Sequence, residues 1–270
     1  MTVALKELER LDARVIAALR CIDAATGAQV GQALRVGADG VKVLRNRSGL
    51  YVLTTVPGLS NAESSFQTQP APDQAEPLPN LALQVVDPTD HYLPRQVLLP
   101  LPRQADPSRS TATNWLFRPH DVAMYPSPVA EMQHNWSVLR LTVSDRISKD
   151  LLGGALVLAR RGSTVLARTL SDGRGEALLV VPGVPVTTWS SEPGAVVVDH
   201  ITAQLQLVFN PTVGTRLPTA DLLAASRRIP RPFVNPDELE RQRSSLPRSV
   251  TTVQLAAGQT QSLSLSLNLP

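Results

Sequence analysis

The closing stretch QSLSLSLNLP (residues 261–270) sets Leu263, Leu265, Leu267 and Leu269 on alternate positions, with Ser and Asn between them. A side-chain period of two is that of a β-strand with one buried face. Shorter apolar runs bounded by Gly, Pro, Asn and Asp recur along the chain and read as strands. They fall at about 14–23, 32–36, 41–45, 50–56, 81–86 and 96–101, then at 137–144, 154–160, 164–170, 176–181, 201–209, 250–255 and 260–268. Short strands with turn signals this closely spaced predict β-sandwiches. Helical signals occur twice. Val3, Leu5, Leu8 and Leu11 lie among charged residues near the N-terminus, and Asn235-Pro236 with Glu238 forms an N-cap and capping-box pattern.

The strand pattern comes in two copies. RSGLYVLTTVPG (47–58) is matched by RGEALLVVPG (174–183), and VVDPTDHYLP (85–94) by VFNPTVGTRLP (208–218). CIDAATGAQVGQALRV (21–36) stands where VSDRISKDLLGGALVL (143–158) stands in the second copy. Three blocks in one order mark a repeated supersecondary plan. The expected layout is an N-terminal helix (1–13), a first β-sandwich (14–104), an aromatic-rich connector with little regular structure (105–135) and a second β-sandwich (136–270). The second sandwich carries an Arg- and Pro-rich insertion at 212–248. SDGRGEALLVVPG (171–183) has glycines and an arginine, but no Gly-Lys-Ser/Thr and no helix follows, so a phosphate loop is excluded. Asp172-Gly173 predicts a hairpin turn instead.

Composition narrows the class. The chain has 270 residues, 43% of them hydrophobic but only 4% aromatic, so its cores rest on Leu, Val and Ala. Twenty-three prolines disfavour long helices. A net charge of +3 lacks the basicity of a nucleic-acid binder. The basic residues are almost all Arg, a bias that interface use and a GC-rich genome would both produce. A single cysteine, Cys21, allows no intrachain disulfide. No secretory leader and no long apolar run is visible, so the expectation is a soluble protein made in the cytosol.

The strand and turn blocks resemble carboxypeptidase regulatory-like domains, the transthyretin-like (prealbumin-like) sandwich. The resemblance rests on CIDAATGAQVGQALRV, RSGLYVLTTVPGL and HYLPRQVLLPLP, then GGALVLARRGSTVLARTLSDGRGEALLVVPG and VQLAAGQTQSLSLSL. It implies two tandem transthyretin-like sandwiches of non-catalytic, assembly or adhesive character. Modules similar to these occur in phage-tail-like and contractile injection particles. Two enzyme families with similar sandwiches do not match. GLYVLTTVPG resembles a run of the intradiol dioxygenases, but the close His-x-His pair their iron needs is missing, since His91, His120, His134 and His200 lie far apart. The hydroxyisourate hydrolases end in Tyr-Arg-Gly-Ser, whereas this chain ends in SLNLP.

Candidate chemistry is sparse. No Gly-x-Ser-x-Gly elbow or Gly-x-Gly-x-x-Gly turn is present. Cys21 sits in a strand and reads as a small buried hydrophobe. His120-Asp121 has no second cluster behind it, and Asp237, Glu238 and Glu240 suit a helix N-terminus. No catalytic, cofactor or metal residues are expected. Surface for partners remains. The segment 113–136 gathers Trp115, Leu116, Phe117, Met124, Tyr125, Met132 and Trp136, which would either rigidify the junction of the sandwiches or form a docking strip. The insertion carries Arg227, Arg228, Arg231, Arg241, Arg243 and Arg248 and is either a solvated loop or an arm to a neighbour. The expected interface is Trp115, Phe117, Tyr125 and Trp136 with Arg227, Arg228, Arg231, Arg241 and Arg243. The expected function is a non-enzymatic structural or adaptor subunit bound to other protein subunits, copies of itself among the candidates, with no nucleic acid, membrane span or small-molecule substrate expected. The alternative is a carbohydrate- or cell-envelope-binding module.

Overall fold

The alternation at the C-terminal end forms the strand it predicts. In the computed structural model, which describes residues 15–59, 80–101, 103, 107–132, 136–184, 188–189, 196–197, 200–222, 229 and 231–269, the chain is mainly β. The N-terminal helix expected at 1–13 lies outside the described residues. In chain order the strands are β1 (Ala17–Asp23), β2 (Arg35–Gly37), β3 (Lys42–Arg45), β4 (Tyr51–Thr55), β5 (Leu81–Val86), β6 (Arg95–Leu99) and β7 (His120–Met124). There follow β8 (Ser137–Asp145), β9 (Leu151–Gly153), β10 (Leu156–Arg161), β11 (Thr164–Leu170), β12 (Glu176–Val181), β13 (Thr188–Trp189), β14 (Val196–Val197), β15 (Ile201–Val208) and β16 (Thr215–Leu217). Two short helices, α1 (Thr219–Leu222) and α2 (Pro236–Arg241), precede β17 (Arg248–Leu255) and β18 (Thr260–Leu267).

The second half is a sandwich of two sheets. One has the order β11-β10-β15-β17; the other runs β12-β8-β9-β16, with β18 against β8. Their inner faces share one core, to which Leu139, Leu179, Leu267, Val157, Leu205 and Leu255 contribute from the two sides. Leu265, Leu267 and Leu269 are buried while Ser262 and Ser264 face solvent, so the Leu-Ser alternation divides a buried side from a wet one. Truncating such a leucine to Ala costs about 2–5 kcal/mol.

Part of the strand order of the first half recurs in the second, although β3 pairs with β4 while β11 pairs with β10. The β4-β1-β7 order of the first copy corresponds to β12-β8-β18 in the second, and β2-β5-β6 to β10-β15-β17. The turn after β1 is held by Asp23, whose Oδ1 accepts from the N–H groups of Ala25 and Thr26. The turn after β8 is held the same way by Asp145, which accepts from Ile147 N–H and the Ser148 hydroxyl. Gly27 closes the first turn at φ +71° and Lys149 the second at φ +64°. Further on, Asp87 Oδ1 accepts from Thr89 N–H and Asn210 Oδ1 from Thr212 N–H, both at 2.9 Å.

Two expectations are corrected. The segment expected to have little regular structure contains β7, which lies beside β1 in the first sheet. Arg20 pairs with Asp121 and Ala24 N–H donates to Met124 O, so the contacts advance in one direction and the pairing is parallel. A five-residue strand opening on His-Asp has no alternation to betray it, and its partner lies about a hundred residues away. Asp172-Gly173 does form a turn, with Asp172 Oδ1 accepting from Arg174 and Glu176 N–H. It is not a hairpin, because β11 and β12 belong to different sheets. Gly175 is required there: its φ is +72°, and a Cβ would lie 2.6 Å from Val143 O.

By its contacts the chain forms two compact units whose segments interleave. The described residues of the first fall within Met1–Arg20, Gly37–Leu81 and Leu99–Asp121. The second comprises Cys21–Val36, Ala82–Leu98 and Val122–Pro270.

Candidate interaction surfaces

In the first unit, a turn brings Trp115 and Phe117 together. Trp115 N–H donates to Ala112 O and Arg118 N–H to Trp115 O. The two rings meet edge to face, centroids 5.2 Å apart at 66°, a favoured aromatic geometry. Phe117 is 65% exposed, whereas Leu116 between the two rings is buried. Beneath the turn lies Arg103, 3% exposed, whose Nη2 donates to the carbonyls of Trp115 and Arg118. Burial, reinforced by the nearby Arg118 charge, pulls its pKa below the usual guanidinium value. Nε and Nη1 of Arg103 and Nε1 of Trp115 are buried, with no hydrogen-bond partner among the described residues.

The other aromatics of this segment do not join that pair. Tyr125, expected at an interface, is 1% exposed and packs with Leu93, Leu156, Leu158, Val208 and Leu239. The period-two geometry of β7 sets Tyr125 on the face of Ala123, opposite Val122 and Met124, and that face packs on the same cluster. Trp136 is half-buried against Val138, Leu178 and Val180, beside Met132. The single aromatic strip of the sequence is therefore dispersed.

The arginines of the insertion are mostly engaged within their own chain. Arg231 pairs with Asp90 at 3.1 Å, Arg241 with Glu238, and Arg243 with Glu240 at 3.9 Å. Arg227 and Arg228 lie outside the described residues. Asn235 caps α2 as expected, accepting from Asp237 and Glu238 N–H. The capping box is half made, since the Glu238 carboxylate turns to Arg241 and Gln242. The helix is docked from below by Arg95, whose Nη2 donates to Asp237 Oδ2 and whose Nη1 donates to Ala123 O, both at 2.6 Å. Arg95 is 1% exposed and its guanidinium lies 5.8 Å from the Tyr125 ring centroid. Arg168 adds a second tie to Glu240 at 2.9 Å. Sequence reasoning passed over Arg95, although a signal existed: it shares strand parity with buried Val97 and Leu99.

The second unit also has a cleft of about 520 Å³, lined by Asp90, Tyr92, Asp172, Arg174, Glu176 and Arg231 among others. Burial holds the Asp172 carboxyl above the usual carboxylate range. The Tyr92 hydroxyl donates to Asp23 at 2.8 Å; burial, then that hydrogen bond, drives its pKa well up. The His120-Asp121 pair resolves differently. Asp121 takes a bidentate bond from Arg20 at 2.6 and 2.8 Å, which holds its carboxyl below the usual range. Cys21 is buried, as expected. Among the described residues no group of three His, Cys, Asp or Glu is placed to hold a metal, and no helix is long and apolar enough to cross a membrane.

No protein-family model matches the sequence, and no curated protein does. Among solved structures, the crystal structure of BcpA, the major pilin subunit of Bacillus cereus, aligns with 96% of this chain at 11% identity and a TM-score of 0.24. The alignment covers 57% of that chain, so this chain spans a little over half its length. A superposition that loose carries no inference about the present molecule.

Proposed function

We propose that the chain is a non-enzymatic structural subunit that docks to other protein subunits of a larger assembly. In this reading 14–104 and 136–270 are tandem transthyretin-like sandwiches, made in the cytosol and built into a particle of the phage-tail-like or contractile injection kind. One observation carries it: the exposed Phe117 ring held edge to face by Trp115 on a turn that Arg103 anchors from below. An exposed Phe117 braced by a half-buried Trp115, with arginine beside them, has the composition of an interface anchor. The test is size-exclusion chromatography of untagged protein from its own source, with mass-spectrometric identification of co-eluting chains. Wild type is expected in a particle far above 29.1 kDa, and Phe117→Ala is expected to leave it. Elution with no other chain overturns the proposal. The polar cleft at Tyr92, Asp172 and Arg174 favours the second reading, a carbohydrate-binding module, which glycan titration with a Tyr92→Ala control tests.

A further inference from the structure

The strand β18 lies at the edge of its sheet, and its pairing fixes what that edge presents. It runs parallel to β8 from Thr260↔Val138 to Leu267↔Asp145. Val138 N–H donates to Gln259 O and Arg146 N–H to Leu267 O. In a parallel ladder these bonds assign the N–H and C=O of odd-numbered residues to β8. The backbone groups of Thr260, Ser262, Ser264 and Ser266 therefore point outward, and no strand among the described residues pairs with them.

Such an edge is a template for another strand, and proteins ordinarily blunt it with charge, proline or a bulge. The equivalent edge of the first copy is blunted: β7 is five residues long and opens on His120-Asp121, with Asp121 tied to Arg20. In β18, eight residues carry no charge and no proline, and the register to β8 is unbroken. Leu263 is only half-buried, so apolar surface remains to be covered beside the open backbone.

We propose that β18 pairs with β18 of a second copy of this chain, antiparallel across a two-fold axis, joining two sheets into one. The strand suits itself as partner. With no charge on it, self-pairing opposes no like charges, and Ser and Thr hydroxyls meet across the ladder. An isologous contact needs one patch only, and this edge supplies both sides. The edge belongs to the second unit and the Trp115–Phe117 pair to the first, so Phe117→Ala and the β18 variants test the two proposals independently.

The test is light scattering on the purified full chain across a concentration series, with amide exchange read residue by residue. Wild type is expected at twice 29.1 kDa. Ser264→Pro removes only an outward N–H, and Ser264→Lys places a charge beside its own symmetry mate. Both are expected to halve the mass with an unchanged circular dichroism spectrum. In wild type, the Ser262, Ser264 and Ser266 amides are expected to become protected as the dimer forms, whereas the Leu263 and Leu265 amides are protected throughout. A wild type that stays at 29.1 kDa with those serine amides exchanging openly overturns the proposal and leaves the edge to another protein's strand. A dimer that persists in both variants also overturns it.

Discussion

Removing Arg95 tests how the insertion is held to the sandwich. Its guanidinium is 2% exposed in the ion pair while the Asp237 carboxylate is 65% exposed, so the two partners should not be equivalent. Breaking a fully buried pair from one side costs about 3–5 kcal/mol. Here water can replace the carboxylate, and an exposed partner counts for about 1 kcal/mol or less. Asp237→Ala is therefore expected to cost about 1–2 kcal/mol, above the purely exposed value because the cation it leaves is buried. Arg95→Ala loses more. It strips the Ala123 carbonyl of a charged donor, worth about 1.5–3 kcal/mol, and leaves a void beside the Tyr125 ring. Relief from burying a cation offsets part of this, and the expected net cost is about 3–4 kcal/mol. Urea unfolding monitored by tryptophan fluorescence gives both values; the melting temperature should fall about 2–4 °C per kcal/mol. Equal costs for the two variants would refute the reasoning, since the exposed carboxylate would then be what holds the guanidinium. So would an Arg95→Ala cost below about 1 kcal/mol, the net worth of one ordinary hydrogen bond.

The repeat supplies two further tests. Lys149 occupies at φ +64° the position that Gly27 fills in the first copy, so Lys149→Gly should stabilise the protein by about 0.5–1 kcal/mol, read as a raised urea midpoint. Burial alone would raise the Asp145 pKa, but bonds from the Ser148 hydroxyl and the Ile147, Leu269 and Ser148 amides outweigh it and hold the carboxyl low. A depressed carboxylate contributes stability that is present above its unfolded pKa and lost as pH falls through the folded one. Between pH 5 and 3, wild type should lose more stability than Asp145→Asn; an equal loss in urea titrations at the two pH values would show the turn is not charge-dependent.

Most strands of the two copies, though not β7, β9 or β16, were legible because their cause is local. Alternation writes one buried face, as in Leu265 and Leu267, and Asx turns such as Asp23 and Asp145 need only the residues that follow them. Asn235 as a cap was legible for the same reason. What the tertiary structure alone decided is pairing. Nothing local in SDGRG says that β11 and β12 enter different sheets, and β7 becomes a strand only because β1 offers it an edge. The fate of polar side chains follows the same rule. Tyr125 and the insertion's arginines look alike as surface candidates in one dimension, whereas Arg95 carries the strand parity of buried Val97 and Leu99. Burial then takes Tyr125 and Arg95 inward, and ion pairs occupy Arg231, Arg241 and Arg243. Composition sets which residues can tolerate exposure, but only the packed chain decides which of them a neighbour has already covered.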